Sequence, residues 1–135
     1  SIRIEQSRIQ KIFINWFAAA VTGSAFAMAM YIWLGQTVLN FWLRDADIAA
    51  AVYPVLLVLL IGTLINVIYQ VGYTAWMLEA NYRLPLIVSG SSVVLTLVLA
   101  PMLVSRYGII GAAAGWLSIN VIGLLLSLGW FRKTK

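Results

Sequence analysis

Four apolar stretches without a single charge govern what this chain can fold into. They run over residues 12–34, 52–78, 84–104 and 109–131. Each is close to the ~20 residues that an α-helix needs to cross ~30 Å of hydrocarbon. Membrane β-strands would be shorter and would alternate apolar with polar residues, a pattern absent here. Backbone groups in lipid must pair within their own segment, so runs of this kind are helical. The expected fold class is therefore all-α: a polytopic membrane protein of four transmembrane helices, forming one membrane domain over residues 1–135. Composition agrees, since 63% of the 135 residues are hydrophobic and only 10% are charged. Soluble domains carry about 25% charged residues.

The connections are short, which makes sequence neighbours antiparallel. Residues 36–51 are read as a loop carrying Arg44, Asp45 and Asp47. Residues 79–83 form a tight turn, and residues 105–108 a tighter one. Pro54 and Pro85 fall in the first turns of the second and third helices, where a missing N–H costs little. Pro101 predicts a break or kink near the end of the third. The segment before the first stretch, SIRIEQSRIQK, reads as a juxtamembrane linker, a short interfacial helix or an extension of that helix.

Cations set the expected topology. Arg3, Arg8, Lys11, Arg83, Arg132, Lys133 and Lys135 lie at one side of the four-helix array, Arg44 and Arg106 at the other. The positive-inside rule then puts both termini in the cytoplasm. Trp16, Trp33, Trp42, Trp76 and Trp130 fall near helix ends, where an aromatic belt is expected. The same cations lie at segment ends and form no basic face, which argues against nucleic-acid binding. The chain has no cysteine and no histidine. Thiol chemistry, zinc thiolate sites and the commonest general base are thereby excluded. No catalytic dyad or phosphate-cradling glycine loop is present, and neither an enzyme nor a cofactor is expected.

The second stretch carries the most informative pattern. Gly62, Asn66 and Gln70 recur every four residues, flanked by Thr63, Tyr69, Tyr73 and Thr74. Residues four apart share a helix face, so a polar stripe crosses the membrane. Two readings fit it: the wall of a substrate cavity, with Asn66, Gln70 and Tyr73 as the candidate lining, or interhelical hydrogen bonding that holds the helices together. Gly111 and Gly115 in the fourth stretch, and Ala19, Gly23 and Ala27 in the first, are small-residue pairs of the kind that let helices approach closely. Gly23, Gly111 and Gly115 are the expected packing glycines. The stretches contain no Asp, Glu, Lys or Arg of the sort on which ion or proton coupling rests.

Four segments together resemble a known family. They are Val38-Leu39-Asn40-Phe41-Trp42-Leu43 at a helix end; Tyr53-Pro54-Val55-Leu56 leading to Gly62-Thr63-Leu64-Ile65-Asn66; the turn Asn81-Tyr82-Arg83-Leu84-Pro85; and Arg106-Tyr107-Gly108-Ile109-Ile110-Gly111-Ala112-Ala113. In order and spacing they are similar to the C-terminal part of the polysaccharide and O-antigen flippases of the multidrug/oligosaccharidyl-lipid/polysaccharide exporter superfamily. Members have more helices, arranged as two pseudo-symmetric bundles, so the resemblance is to the last helices of the second bundle. It implies a parent transporter that moves polyprenyl-pyrophosphate-linked oligosaccharide units across the bacterial inner membrane. Its partners would be the bilayer, the lipid-linked oligosaccharide, and the missing N-terminal helices or another subunit. Arg44 or Arg83 could meet the pyrophosphate at either mouth, while anion-binding groups deep in the cavity would belong to the missing helices. Two other readings are open. One is a complete four-helix transporter acting as an oligomer, although the membrane glutamate of the small multidrug exporters has no counterpart here. The other is a non-transporting membrane scaffold.

Overall fold

The computed structural model describes residues 2–78 and 82–133. Within them the chain forms four α-helices: α1 (Ile2–Leu43), α2 (Ala46–Leu78), α3 (Arg83–Tyr107) and α4 (Ile109–Lys133). All four contain a stretch long and apolar enough to cross a membrane. Glu79, Asn81 and Lys135, and the side chains of Arg3, Trp130, Arg132 and Lys133, lie outside the described residues.

The helices outrun the apolar stretches. α1 begins at Ile2, so the charged N-terminal segment extends the first helix. The expected loop over 36–51 is almost wholly helical, and only Arg44 and Asp45 separate α1 from α2. Residues 36–51 contain neither Gly nor Pro, and the backbone ladder is broken in them only at the Arg44–Asp45 turn. The turn itself is built from two residues. Arg44 sits at φ 53° and donates its N–H to the Asn40 carbonyl at 3.0 Å, which terminates α1 in a left-handed C-cap. Asp45 then caps α2, its Oδ1 accepting from the N–H groups of Asp47 at 3.0 Å and Ile48 at 3.1 Å. Asp45 thus has a structural role at the start of α2.

The α3–α4 turn is shorter still. Gly108, at φ 66°, is the one residue between the helices, and its N–H reaches the Val104 carbonyl at 2.8 Å. The prolines fall deeper than expected. Pro54 is inside α2, two turns from its start, and leaves the Ala50 carbonyl without its usual donor. α3 runs through Pro101 to Tyr107. Pro85 does lie in the first turn of α3, where its ring is buried.

Neighbours in the sequence are antiparallel, but the four helices do not close into a bundle. They stand side by side in the order α1, α2, α4, α3, and α1 touches neither α3 nor α4 among the described residues. Each central helix has a neighbour on both sides, and α1 and α3 form the edges. Such an open layer leaves both faces uncovered. In water it would be untenable; in hydrocarbon, apolar side chains such as Phe26, Leu97 and Leu125 face the solvent they favour.

α2 and α4, separated in sequence by α3, run parallel and form the principal seam. Large side chains of one helix meet small ones of the other. Trp116 packs on Gly62, Tyr69 on Gly123 and Ser127 on Gly72. A Cβ at Gly62 would stand 2.7 Å from Trp116 Cδ1, and one at Gly72 would stand 2.8 Å from Ser127 Cβ. Contacts on α2 fall at 62, 66, 69 and 72, and on α4 at 116, 120, 123 and 127. Steps of three and four keep a seam in register along two helices. Near the end of α2, Tyr69, Trp76 and Val88 form a buried cluster with Tyr73, Leu84 and Leu124 against it. Trp76 is 4% exposed, so it belongs to this cluster and not to the aromatic belt; Trp16, Trp33 and Trp42 are exposed as a belt requires.

α1 is fastened to α2 by a pair of tyrosines. Tyr31 and Tyr53 stack with centroids 5.1 Å apart and planes inclined by 13°. Tyr31 Oη donates to the Tyr53 carbonyl at 2.9 Å, and Tyr53 Oη donates to the Ile32 carbonyl at 3.2 Å. Gly35 makes room for the stack, since a Cβ there would lie 2.9 Å from the Tyr31 ring.

Candidate functional site

The polar stripe of α2 is divided by the structure. Successive residues in an α-helix are separated by about 100°, so a spacing of four drifts by about 40° at each step. Gly62 is therefore in the α4 seam, Asn66 at its margin and Gln70 outside it. Asn66 Nδ2 donates to Asn120 Oδ1 at 2.6 Å, and Asn120 Nδ2 donates to the Trp116 carbonyl at 2.8 Å. Asn120 is 3% exposed. This chain of hydrogen bonds links two amides inside the layer.

Tyr73 is half-buried. Its ring meets Tyr69 edge-on, with centroids 5.9 Å apart and planes at 71°, and it packs on the Tyr69–Trp76–Val88 cluster. Gln70 is exposed on the layer face, and no hydrogen bond holds its amide among the described residues. Thr63, seven residues earlier and within about 20° of the same helical direction, is exposed too; its Oγ1 donates to the Leu59 carbonyl at 2.8 Å. The structure thus places Asn66 in the seam, Tyr73 against the apolar cluster and Gln70 on the open face. It does not bring the three around one cavity.

The packing glycines divide similarly. A Cβ at Gly111 would collide with the Leu103 carbonyl of α3 and stand 3.0 Å from the Val104 nitrogen. Gly115 lies opposite Leu103 and Ala100, so both glycines face α3 across the Gly108 turn. Gly23 has no atom within 4 Å of where its Cβ would be, and it packs against nothing among the described residues.

Sequence reasoning missed Gly35, Tyr31, Gly72, Gly123 and Asn120 as contact residues. The signal for the seam was available as steps of three and four between seam positions in α2 and α4. The signal for the tyrosine pair was not, because two tyrosines 22 positions apart imply nothing until the hairpin places them together.

Among the described residues no group of three acidic, histidine or cysteine side chains stands where it could hold a metal. Gln70 is the functional candidate that remains. It lies eight residues from the end of α2, about 12 Å along the helix axis, within the span that crosses hydrocarbon. A primary amide presented to lipid without a partner costs several kcal/mol. The Thr63–Gln70 face is accordingly suited to water, a polar cargo or a second polar helix surface. Comparison with protein-family models, with curated proteins and with solved structures finds no match.

Proposed function

We propose that this chain is the C-terminal part of a transporter in the bacterial inner membrane, with both termini cytoplasmic. On this reading it moves polyprenyl-pyrophosphate-linked oligosaccharides between leaflets for O-antigen or other surface polysaccharides. The observation that carries the reading is the Gln70 amide, without a hydrogen-bond partner among the described residues, within an apolar span and on a helix layer whose face is open. Thr63 and Gln70 would form one strip of the cavity wall and offer hydrogen bonds to sugar hydroxyls. Asn66, tied to Asn120, and Tyr73, packed on Trp76, would support that wall from behind. The opposing wall, and any cations that meet the pyrophosphate within the membrane, would come from other helices of the transporter or from another subunit. Rocking of two such bodies against each other gives alternating access.

These 135 residues contain no cysteine, so a cysteine introduced into them is their single thiol. On the transport reading Gln70→Cys and Thr63→Cys react with a membrane-impermeant thiosulfonate, while Ser127→Cys, fully buried, is protected. Gln70→Leu lowers export without loss of membrane insertion. Labelling at position 70 only by a lipid-soluble maleimide, with export unchanged in Gln70→Leu, would replace transport by the scaffold reading.

A further inference from the structure

α2 and α4 have more in common than a seam. Ile65-Asn66-Val67-Ile68 in α2 recurs as Ile119-Asn120-Val121-Ile122 in α4, displaced by 54 positions. Tyr53 and Tyr107 stand at the same displacement, as do Trp76 and Trp130, so six of the 24 residues from Tyr53 to Trp76 are repeated. The packing has the same displacement. Asn66 meets Asn120, Gly62 meets Trp116 and Tyr69 meets Gly123, while Gly72 meets Ser127 one residue out of step. A repeat in sequence has no reason to share its period with contacts in space unless the repeated segments pair with each other. Asn66, Gly62 and Tyr69 each face their own counterpart, as residues do across the two-fold axis of a parallel homodimer. The edge helices obey the same axis, since α1 packs beyond α2 and α3 beyond α4.

Where the copies differ at the seam, they differ in opposite senses. Trp116 stands for Gly62 and Gly123 for Tyr69, so at both levels a large side chain of one copy meets a glycine of the other. Two α2 surfaces would set Gly62 on Gly62 and Tyr69 on Tyr69, a gap followed by a clash. Two α4 surfaces would set Trp116 on Trp116. Only the mixed pair fills the seam at both levels. Polarity diverges as well, for Thr63 and Gln70 correspond to Leu117 and Leu124. A two-fold axis along the helices exchanges the faces of the layer, so these leucines belong to the face opposite Gln70.

We propose that α2 and α4 are duplicated copies of one self-pairing membrane helix, and that reciprocal large-for-small changes now restrict each copy to the other as partner. The α2 surface formed by Gly62, Asn66 and Tyr69 recognises α4 of its own chain and rejects α2 of a second chain. This inference is independent of the export reading.

The test exchanges large and small residues in the full chain and follows unfolding in micelles of rising SDS fraction. Gly62→Trp and Trp116→Gly each lower the SDS fraction at the midpoint, the first through a clash and the second through a gap. Combined, they rebuild the seam with its large and small sides exchanged, and at least half of the larger loss is recovered. Tyr69→Gly with Gly123→Tyr repeats the exchange two turns along, and a single variant that does not fold counts as a complete loss. Double variants no better than their worse single at both levels overturn the proposal, as do single variants that all unfold like the parent. Partner choice is read separately from Asn66→Cys under oxidation. Pairing of α2 with α2 would set two such thiols opposite each other, so the proposal expects no disulfide-linked dimer, and a dimer overturns it.

Discussion

The Asn66–Asn120 pair offers the sharpest test of the α2–α4 seam. Asn120 is pinned: its Nδ2 is committed to the Trp116 carbonyl at 2.8 Å, which directs Oδ1 towards α2, where Asn66 donates at 2.6 Å. Asn66→Ala removes the donor and leaves a buried amide oxygen unpaired, because rotating Asn120 would sacrifice its other bond. Stranding a buried acceptor costs about 1–3 kcal/mol, whereas an average interhelical hydrogen bond in a membrane is worth ~0.6 kcal/mol and the strongest ~1.7. The double variant strands nothing at this site. It is therefore less destabilised than the sum of Asn66→Ala and Asn120→Ala, by a coupling energy of about 1 kcal/mol, or roughly fivefold in the folding equilibrium.

The assay is equilibrium unfolding of the parent, the two single variants and the double variant in mixed micelles of rising SDS fraction. Tryptophan fluorescence follows the transition, since Trp116 and Trp76 both lie along this seam. Additive single variants, with coupling within ~0.3 kcal/mol of zero, would show that the two amides do not hold each other. The assignment of Asn66 to packing would then fall.

Other substitutions test the remaining contacts by the same titration. Gly111→Leu drives a side chain into the Leu103 carbonyl and costs at least ~2 kcal/mol, while Gly23→Leu enters open space and changes stability by no more than ~0.5 kcal/mol; equal effects would refute the difference between the two glycines. Asp45→Ala loses the α2 cap and ~1 kcal/mol. Arg44→Gly relieves the left-handed backbone and gains ~1 kcal/mol; a loss in its place would mean that Arg44 contributes through its side chain.

Hydropathy identified all four spans because each must bury a run of side chains in lipid, and such runs contain no charge. The same signal is blind to what lies beyond the lipid. Residues 36–51 lose hydrophobicity at Gln36, Asn40 and Arg44, yet with neither Gly nor Pro among them they are helical on both sides of the Arg44–Asp45 turn. The division of the polar stripe was hidden for a different reason. A four-residue repeat looks like one face over two positions, and only helix rotation over three separates Gly62 from Gln70. The order of the layer depends on matching Trp116 to Gly62 and Tyr69 to Gly123, which is a property of two distant segments and of neither alone.

The seam also fixes how the hairpins stand relative to each other. Gly62 meets Trp116 and Asn66 meets Asn120, both pairs offset by 54 positions. That offset sets Ile109, where α4 begins, opposite Val55, nine residues inside α2. The α1–α2 hairpin therefore projects about 13 Å beyond the α3–α4 turn. The tyrosine stack between Tyr31 and Tyr53 carries the same level across to α1 close to Tyr31. The apolar runs stop at 34 and resume at 52, within about one helical turn of that level on both helices. The apolar runs thus end near one level of the layer, and both helices continue past it. Phe41 and Trp42, both exposed, lie with the Arg44–Asp45 turn at the tip of that projection.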